Sequence, residues 1–359
     1  MNNTAIKTKQ QTKMRVSTKP LLKTLLWLKR HTIGGAQTVI LNTDTENGHL
    51  VLTSTNRVIS IETRLPCHGH IEGFHAYNLK DLYTKAKGAI GETVDFNGVA
   101  FRSNGLSFIS QNIDDVNLYT MPKLTMVAVK QDNSAFRANL LAVIQAGGCT
   151  AKSPRNYGSV VCFDSKENHL VATDGFRLAY STFVGLAIED KTCISFLACR
   201  ALATMPGNDI ALAVSEDASE MLATSCNTKI HIISSAIKYP NYLDILSTKF
   251  APEIAVDIDC KQLKTLLATC DRSQAINIEA FAGNLKLSSK TASISIETPS
   301  YENIAKRAFN GAFLLQLLNA DKTKSKVEIS VNNHDLESVI RVGSNHFTTF
   351  LVPIKGQTT

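Results

Sequence analysis

Few residues in this chain are spaced for chemistry. Cys67-His68-Gly69-His70, with His75 close behind, is the one grouping that could hold a metal ion. It lacks a second cluster at the spacing that completes a zinc site. Asp164 and Asp174 could be imagined as paired carboxylates. Asp174 is better explained by a turn. In His169–Thr182, HLVATDGFRLAYST, Leu170 and Ala172 alternate with Val171 and Thr173. Asp174-Gly175 then supplies a tight turn, and Phe176 to Tyr180 resumes extended chain with Arg177 in the return strand. There is no G-x-S-x-G, no P-loop, no H-E-x-x-H and no glycine-rich dinucleotide loop after a strand. The sequence therefore predicts no catalytic residues, no bound metal and no cofactor. The chain is expected not to be an enzyme.

A chain of 359 residues is too long for one ordinary core. Two or three domains of about 100–150 residues are the prior. Hydrophobic content of 44% is that of a globular protein. No apolar run approaches the ~20 residues that span a bilayer, and the polar, basic start has no apolar segment of a secretory signal. The expectation is a cytoplasmic protein with no membrane partner. Of the eight cysteines none forms a C-x-x-C pair, and several, such as Cys162 between Val161 and Phe163, lie in apolar segments. That is the pattern of buried free thiols in a reducing compartment. The net charge is +7. Eight Lys or Arg and no Asp or Glu fall in residues 1–43, so the rest of the chain is close to neutral. A basic arm of this kind is either a solvated tail or an attachment to nucleic acid.

Along the chain one pattern repeats. Residues 1–13 read as a disordered basic extension. Pro20 to Arg30 is an amphipathic helix whose apolar stripe is Leu21, Leu22, Leu25 and Leu28. Further helices are expected over 78–89, with Asn78 as N-cap, and over 134–147, capped by Ser134 and closed by Gly147-Gly148. Shorter ones follow at 196–205, 261–271 and 311–319. Each helix is followed by strand-like segments. Helix starts recur every 50–65 residues or so, a coarse internal repeat. It indicates three domains of two copies each, 14–130, 131–250 and 251–359, with polar or Pro-containing breaks near Lys130 and Pro252. The fold class is α+β.

Three stretches then carry a family resemblance. Ala172-Thr173-Asp174-Gly175-Phe176-Arg177-Leu178-Ala179 is similar to the ATDGHRLA hairpin of the bacterial sliding clamp, the beta subunit of DNA polymerase III. Lys238 to Leu246, KYPNYLDIL, resembles that family's segment at the end of its middle domain. Phe350-Leu351-Val352-Pro353-Ile354-Lys355 resembles its V-M-P-M-R ending. All three occur in the family's order over about Met14 to Gly356. The chain departs from the pattern at Phe176, where His is usual, at Asp244, where Arg is common, and at Gly158, where a bulky apolar residue is expected. It reads as a divergent member.

The resemblance implies a DNA-clamp fold: three similar domains, each with two helices on antiparallel sheets, closing into a ring as a head-to-tail homodimer around double-stranded DNA. The ring would tether a replicative DNA polymerase and other proteins that carry a short hydrophobic clamp-binding peptide, and a clamp-loader ATPase would open it. It further implies diffuse cationic DNA contacts at Lys23, Arg30, Lys80, Lys87, Arg137, Lys152, Arg155, Arg200 and Lys264, with Tyr157 beside them in an inner-rim loop. Such contacts hold phosphates without reading bases. The implied peptide pocket comprises Thr173, Gly175, Phe176, Arg177, Leu178, Pro240, Ile245, Val352, Pro353 and Ile354. The implied dimer edges lie at Ser107, Phe108 and Ile109 and at Thr269 and Cys270. The alternative is a clamp-like protein that docks partners and no longer encircles DNA.

Overall fold

Among the described residues a strand runs straight into a helix six times. The computed structural model describes residues 13–32, 37–89, 91–109, 121–122, 129–186, 191–248, 254–268, 275–281, 283–297, 304–320, 325–331, 340–343 and 347–351. Strand Met14–Ser17 leads into α1 (Thr18–His31), His75–Asn78 into α2 (Leu79–Lys87), and Val129–Gln131 into α3 (Asn133–Ala146). Lys191–Ser195 leads into α4 (Phe196–Ala203). A short helix, α5 (Tyr242–Thr248), stands outside the pattern. Ile254–Asp259 then leads into α6 (Cys260–Ala268), and Ile304–Asn310 into α7 (Gly311–Ala320). Three antiparallel strands follow each of the six, as 38–44, 49–55 and 59–68 follow α1.

At four of the six junctions the residue that ends the strand also caps the helix, its side chain taking up the first free amides, whereas Ser17 before α1 makes no such bond. Asn78 Oδ1 accepts from the Asp81 amide at 3.0 Å, and Ser195 Oγ from Ala198 at 3.3 Å. Asp259 Oδ1 accepts from Lys261 and Gln262, both at 2.9 Å. Asn310 Oδ1 accepts from Ala312 at 2.9 Å and Phe313 at 3.3 Å. At α3 the cap is Asp132, whose Oδ1 accepts from Ala135 at 3.3 Å. The expected cap, Ser134, instead donates its hydroxyl to Asp132 at 3.1 Å. A carboxylate two residues further out wins because it accepts from the Ala135 amide and the Ser134 hydroxyl together. The expected closure of α3 is present: Gly147 N donates to Val143 O at 2.8 Å, and Gly148 takes φ +70°.

The chain divides into two units. The first holds residues up to 126 with 205–215 and 220–233. Its sheet runs in the order 106–109, 100–103, 93–96, 14–17, 59–68, 228–233, 220–225, 210–214, with 38–44, 49–55 and 75–78 branching from it. α1 and α2 pack together through Leu21, Leu25, Leu28, Leu79, Leu82 and Ala86, all buried. Leu22, read as part of the α1 stripe, is only half-buried.

The second unit holds 127–204, 216–219 and 234 onward. Its eight-stranded sheet runs 191–195, 160–164, 169–173, 177–182, 348–351, 340–343, 326–331, 254–259. A four-stranded sheet runs 293–297, 284–288, 275–281, 304–310. Within this unit α3 packs on both α4 and α7, and α6 packs on α7. Among the described residues no helix is long and apolar enough to cross a membrane.

One polar contact pins α5 to the eight-stranded sheet. Asp164 is fully buried at the end of its strand. The Tyr242 hydroxyl donates to Asp164 Oδ2 at 2.8 Å, Lys191 Nζ lies 3.1 Å from the same oxygen, and the Glu167 amide donates to Oδ1 at 3.3 Å. Tyr242 has spent its proton, so the 3.2 Å contact with His169 requires the proton on Nδ1. Burial lowers the His169 pKa, which keeps that ring neutral. Burial alone would raise the Asp164 pKa, but the hydrogen bonds from Tyr242, Lys191 and the Glu167 amide outweigh it and hold the carboxyl below its usual range.

A carboxylate depressed in this way stabilises the fold above its unfolded pKa, and the contribution is lost as the pH falls through the folded value. Tyr242→Phe is expected to cost about 2 kcal/mol at pH 7, the worth of a hydrogen bond to a charged group. The gap between variant and wild type should narrow progressively as urea unfolding is repeated at pH values below the ordinary carboxylate pKa of about 4, down through the depressed folded value. A gap independent of pH would contradict the assignment.

Candidate functional site

The hairpin of 169–173 and 177–182 pairs Thr173 with Leu178, so the turn is longer than Asp174-Gly175 alone. Phe176, expected to lie in the return strand, belongs instead to the turn, and the strand resumes at Arg177. The turn is held by its own side chains. Thr173 Oγ1 donates to Arg177 O at 2.6 Å and accepts from the Gly175 amide at 3.0 Å. Asp174 Oδ1 accepts from the amides of Phe176 at 2.9 Å and Arg177 at 3.1 Å. Gly175 has φ +86° and lies against the Arg155 guanidinium and the Tyr157 hydroxyl, which leave no space for a Cβ.

The loop that precedes strand Val160–Asp164 closes over the turn. Arg155 Nη1 donates to Asp174 O at 3.2 Å, and its guanidinium lies 4.7 Å from the centre of the Phe176 ring. Phe176 itself remains 53% exposed. Arg155 and Tyr157 were singled out as DNA contacts. The structure packs both on the hairpin, and nothing in the spacing of 152–157 marks that role.

Arg177 turns the other way. It is 6% exposed, donates from Nε to Asp174 Oδ2 at 3.0 Å, and stacks its guanidinium over Phe313 of α7 at 4.1 Å. Burial lowers its pKa, and Asp174 offsets part of that. Gly148 is the reason the pair fits: a Cβ there would run into the Asp174 carboxylate and the Arg177 guanidinium.

Leu178 is 4% exposed and belongs to a core cluster with Val160, Cys162, Val171, Cys193, Tyr242 and Phe350. Ile237, Tyr239, Leu243 and Leu246 pack against it, and the Tyr239 hydroxyl donates to Val171 O at 3.1 Å. Pro240 is half-buried between the two tyrosines. Strand Thr348–Leu351 pairs with Arg177–Tyr180, placing Leu351 opposite Arg177. The hairpin, the 237–246 segment and the last strand therefore share one core. The Ile245 side chain and Val352, Pro353 and Ile354 lie outside the described residues. Tyr239 and Tyr242, which anchor the segment, were not singled out; an aromatic pair three residues apart was the available signal.

Of the cationic candidates, Lys23 and Arg30 are exposed on α1, and Lys80 and Lys87 on α2. Each pair is seven residues apart, on the helix stripe opposite its buried leucines. Lys152 and Arg200 are exposed, while Arg137 and Lys264 are half-buried. Strand Leu106–Ile109 is the edge of the first unit's sheet among the described strands, and Leu106 and Ile109 are 46% and 63% exposed. Phe108 stacks on Phe101 at 5.2 Å. Thr269 and Cys270 lie outside the described residues. Among the described residues no three His, Cys, Asp or Glu side chains converge as metal ligands would. His75 instead packs edge-on against Phe96 and contacts Glu72 O at 3.0 Å.

No protein-family model and no curated protein matches this sequence. Solved structures do match its fold. The DNA polymerase III subunit beta of Borrelia burgdorferi, in complex with a natural product, is similar at TM-score 0.80 and 14% identity, over 96% of this chain and 98% of that one. The Helicobacter pylori beta clamp bound to a DNA ligase peptide is similar at TM-score 0.78 and 17% identity, over 96% and 100%. The DNA polymerase sliding clamp of Bacillus subtilis is similar at TM-score 0.78 and 13% identity, over 96% and 99%. Antiparallel sheets, paired helices and a strand-helix repeat are common to the whole length, and the low identity marks wide divergence: the chain has the α+β fold of the DNA polymerase III beta subunit, the sliding clamp.

Proposed function

We propose that the protein is a sliding clamp, a non-catalytic processivity factor in the cytoplasm that encircles duplex DNA and tethers a replicative polymerase. The observation that carries this reading is the convergence of the hairpin, the 237–246 segment and the last strand on one core. It occurs within a fold that matches clamps over 96% of the chain. Peptide capture needs an apolar surface with fixed polar edges. The half-exposed Phe176 ring, steadied by Arg155, supplies the apolar part, with 352–354 following directly on Leu351 in sequence. The clamp of Helicobacter pylori holds a ligase peptide, and a short hydrophobic peptide of that kind is the partner this surface suits.

The ring would form from two chains of three domains, 14–130, 131–250 and 251–359. The exposed Leu106 and Ile109 of the edge strand support an interface there, because an open apolar strand edge is a template for pairing. Its counterpart would lie near Thr269 and Cys270. Lys23 and Arg30, with Lys80 and Lys87, would face phosphates without reading bases, and a clamp-loader ATPase would open the ring.

Phe176→Asp should weaken a labelled DNA ligase peptide of the clamp-binding kind at least about tenfold, by placing a charge where an apolar anchor must sit. The Phe176 side chain is exposed, so thermal unfolding should be unchanged. Equal anisotropy titrations for variant and wild type would remove the pocket from the account. For DNA, Lys23→Glu combined with Lys80→Glu should lower duplex affinity and make the slope of log K against log salt shallower by about two. A slope identical to wild type would show that these lysines do not meet phosphates.

A further inference from the structure

α3, α4 and α7, with Arg177 of the hairpin, line an open cleft of ~660 Å3 within the second unit. That is the size of pockets that take small organic ligands. Its walls are mostly apolar: Leu141 and Ile144 from α3 and Phe196 from α4. Leu141 leaves 43% of itself open. Two cations meet this apolar lining. Arg177 lines the cleft from the hairpin, and Arg200 from α4, its guanidinium 5.7 Å from the Phe196 ring.

The two arginines are not alike. Arg177 is matched in charge by Asp174, yet its Nη1 is sealed and finds no hydrogen-bond partner. Arg177 therefore gives the cleft a buried cationic edge already matched by Asp174 rather than an open donor. Arg200 has no acidic partner among the described residues, so the cleft carries one uncompensated positive charge. Duplex DNA presents its phosphates along a rail too broad for a cleft walled by Leu, Ile and Phe.

We propose that this cleft binds a small amphiphilic monoanion, an organic carboxylate or sulfonate. Its charged end lies at Arg200, the exposed cation of the cleft, and its apolar body lies on Leu141, Ile144 and Phe196. Gln316 of α7, at the same cleft, offers an amide to the polar end. The site goes beyond the clamp reading and does not depend on ring formation.

The probe is 1-anilinonaphthalene-8-sulfonate, a fluorescent aromatic monoanion, titrated into the full chain. One saturable site is expected. N-phenyl-1-naphthylamine, the same body without the sulfonate, should bind about tenfold more weakly. Leu141→Glu puts a negative charge at the cleft wall on an open helical position, and should weaken the sulfonate about tenfold with no change in melting temperature. Arg200→Met, which keeps the apolar stem, should weaken it about fivefold. Arg200 also belongs to the proposed DNA contacts, so Leu141→Glu, which does not, separates the two sites. The absence of a saturable site would overturn the proposal. So would a Leu141→Glu titration that overlays wild type, or a neutral dye that binds as tightly as the charged one.

Discussion

Asp164 is sealed from water at the end of a central strand, and a sealed carboxylate has to be paired. Its partners come from three places: Lys191 on the neighbouring strand, the Glu167 amide in the turn, and Tyr242 more than seventy residues on. Removing a hydrogen-bond partner from a buried charge costs about 2 kcal/mol, more than a typical exposed ion pair contributes. That difference decides where 237–246 can lie. Tyr242 must reach Asp164, so Tyr239, Leu243 and Leu246 fall on the cluster that already holds Leu178 and Phe350. The candidate peptide surface is the outer side of that arrangement.

The hairpin serves two sides of the second unit at once. Phe176 lies under Arg155 at the exposed tip, while Arg177 passes inward to Asp174 and Phe313. The turn ends between these two residues, and the two sides they reach differ in kind. Gly148 and Gly175 make this possible at two crowded points, one beside the guanidinium of Arg177 and one beside that of Arg155. Binding events on the two sides would share the rigid turn built by Thr173 and Asp174.

The helices were readable because their apolar spacing is regular: Leu21, Leu25 and Leu28 are buried as the pattern requires. The strands that precede them were not. Met14–Ser17 and His75–Asn78 are four residues each, too short to show alternation, and they enter their helices without a turn. α5 was missed because Pro240 stands just before a segment whose apolar residues fit a packed loop equally well. The hairpin was legible down to its glycine. The fate of Arg177 was not, since its stacking partner Phe313 is far off in the chain and no local pattern announces it. Asp164 likewise showed only as a charge inside an apolar strand.

A strand that leads into a helix, followed by three more antiparallel strands, recurs six times among the described residues and yields the fold of a clamp. For that fold to act as a clamp, the open edge at 106–109 must find a second copy. Native mass by light scattering across a concentration series tests this most directly. The account predicts a mass twice that of the 359-residue chain, holding on dilution into the submicromolar range. A monomer at every concentration would contradict the ring and leave a clamp-shaped protein that docks partners without encircling DNA.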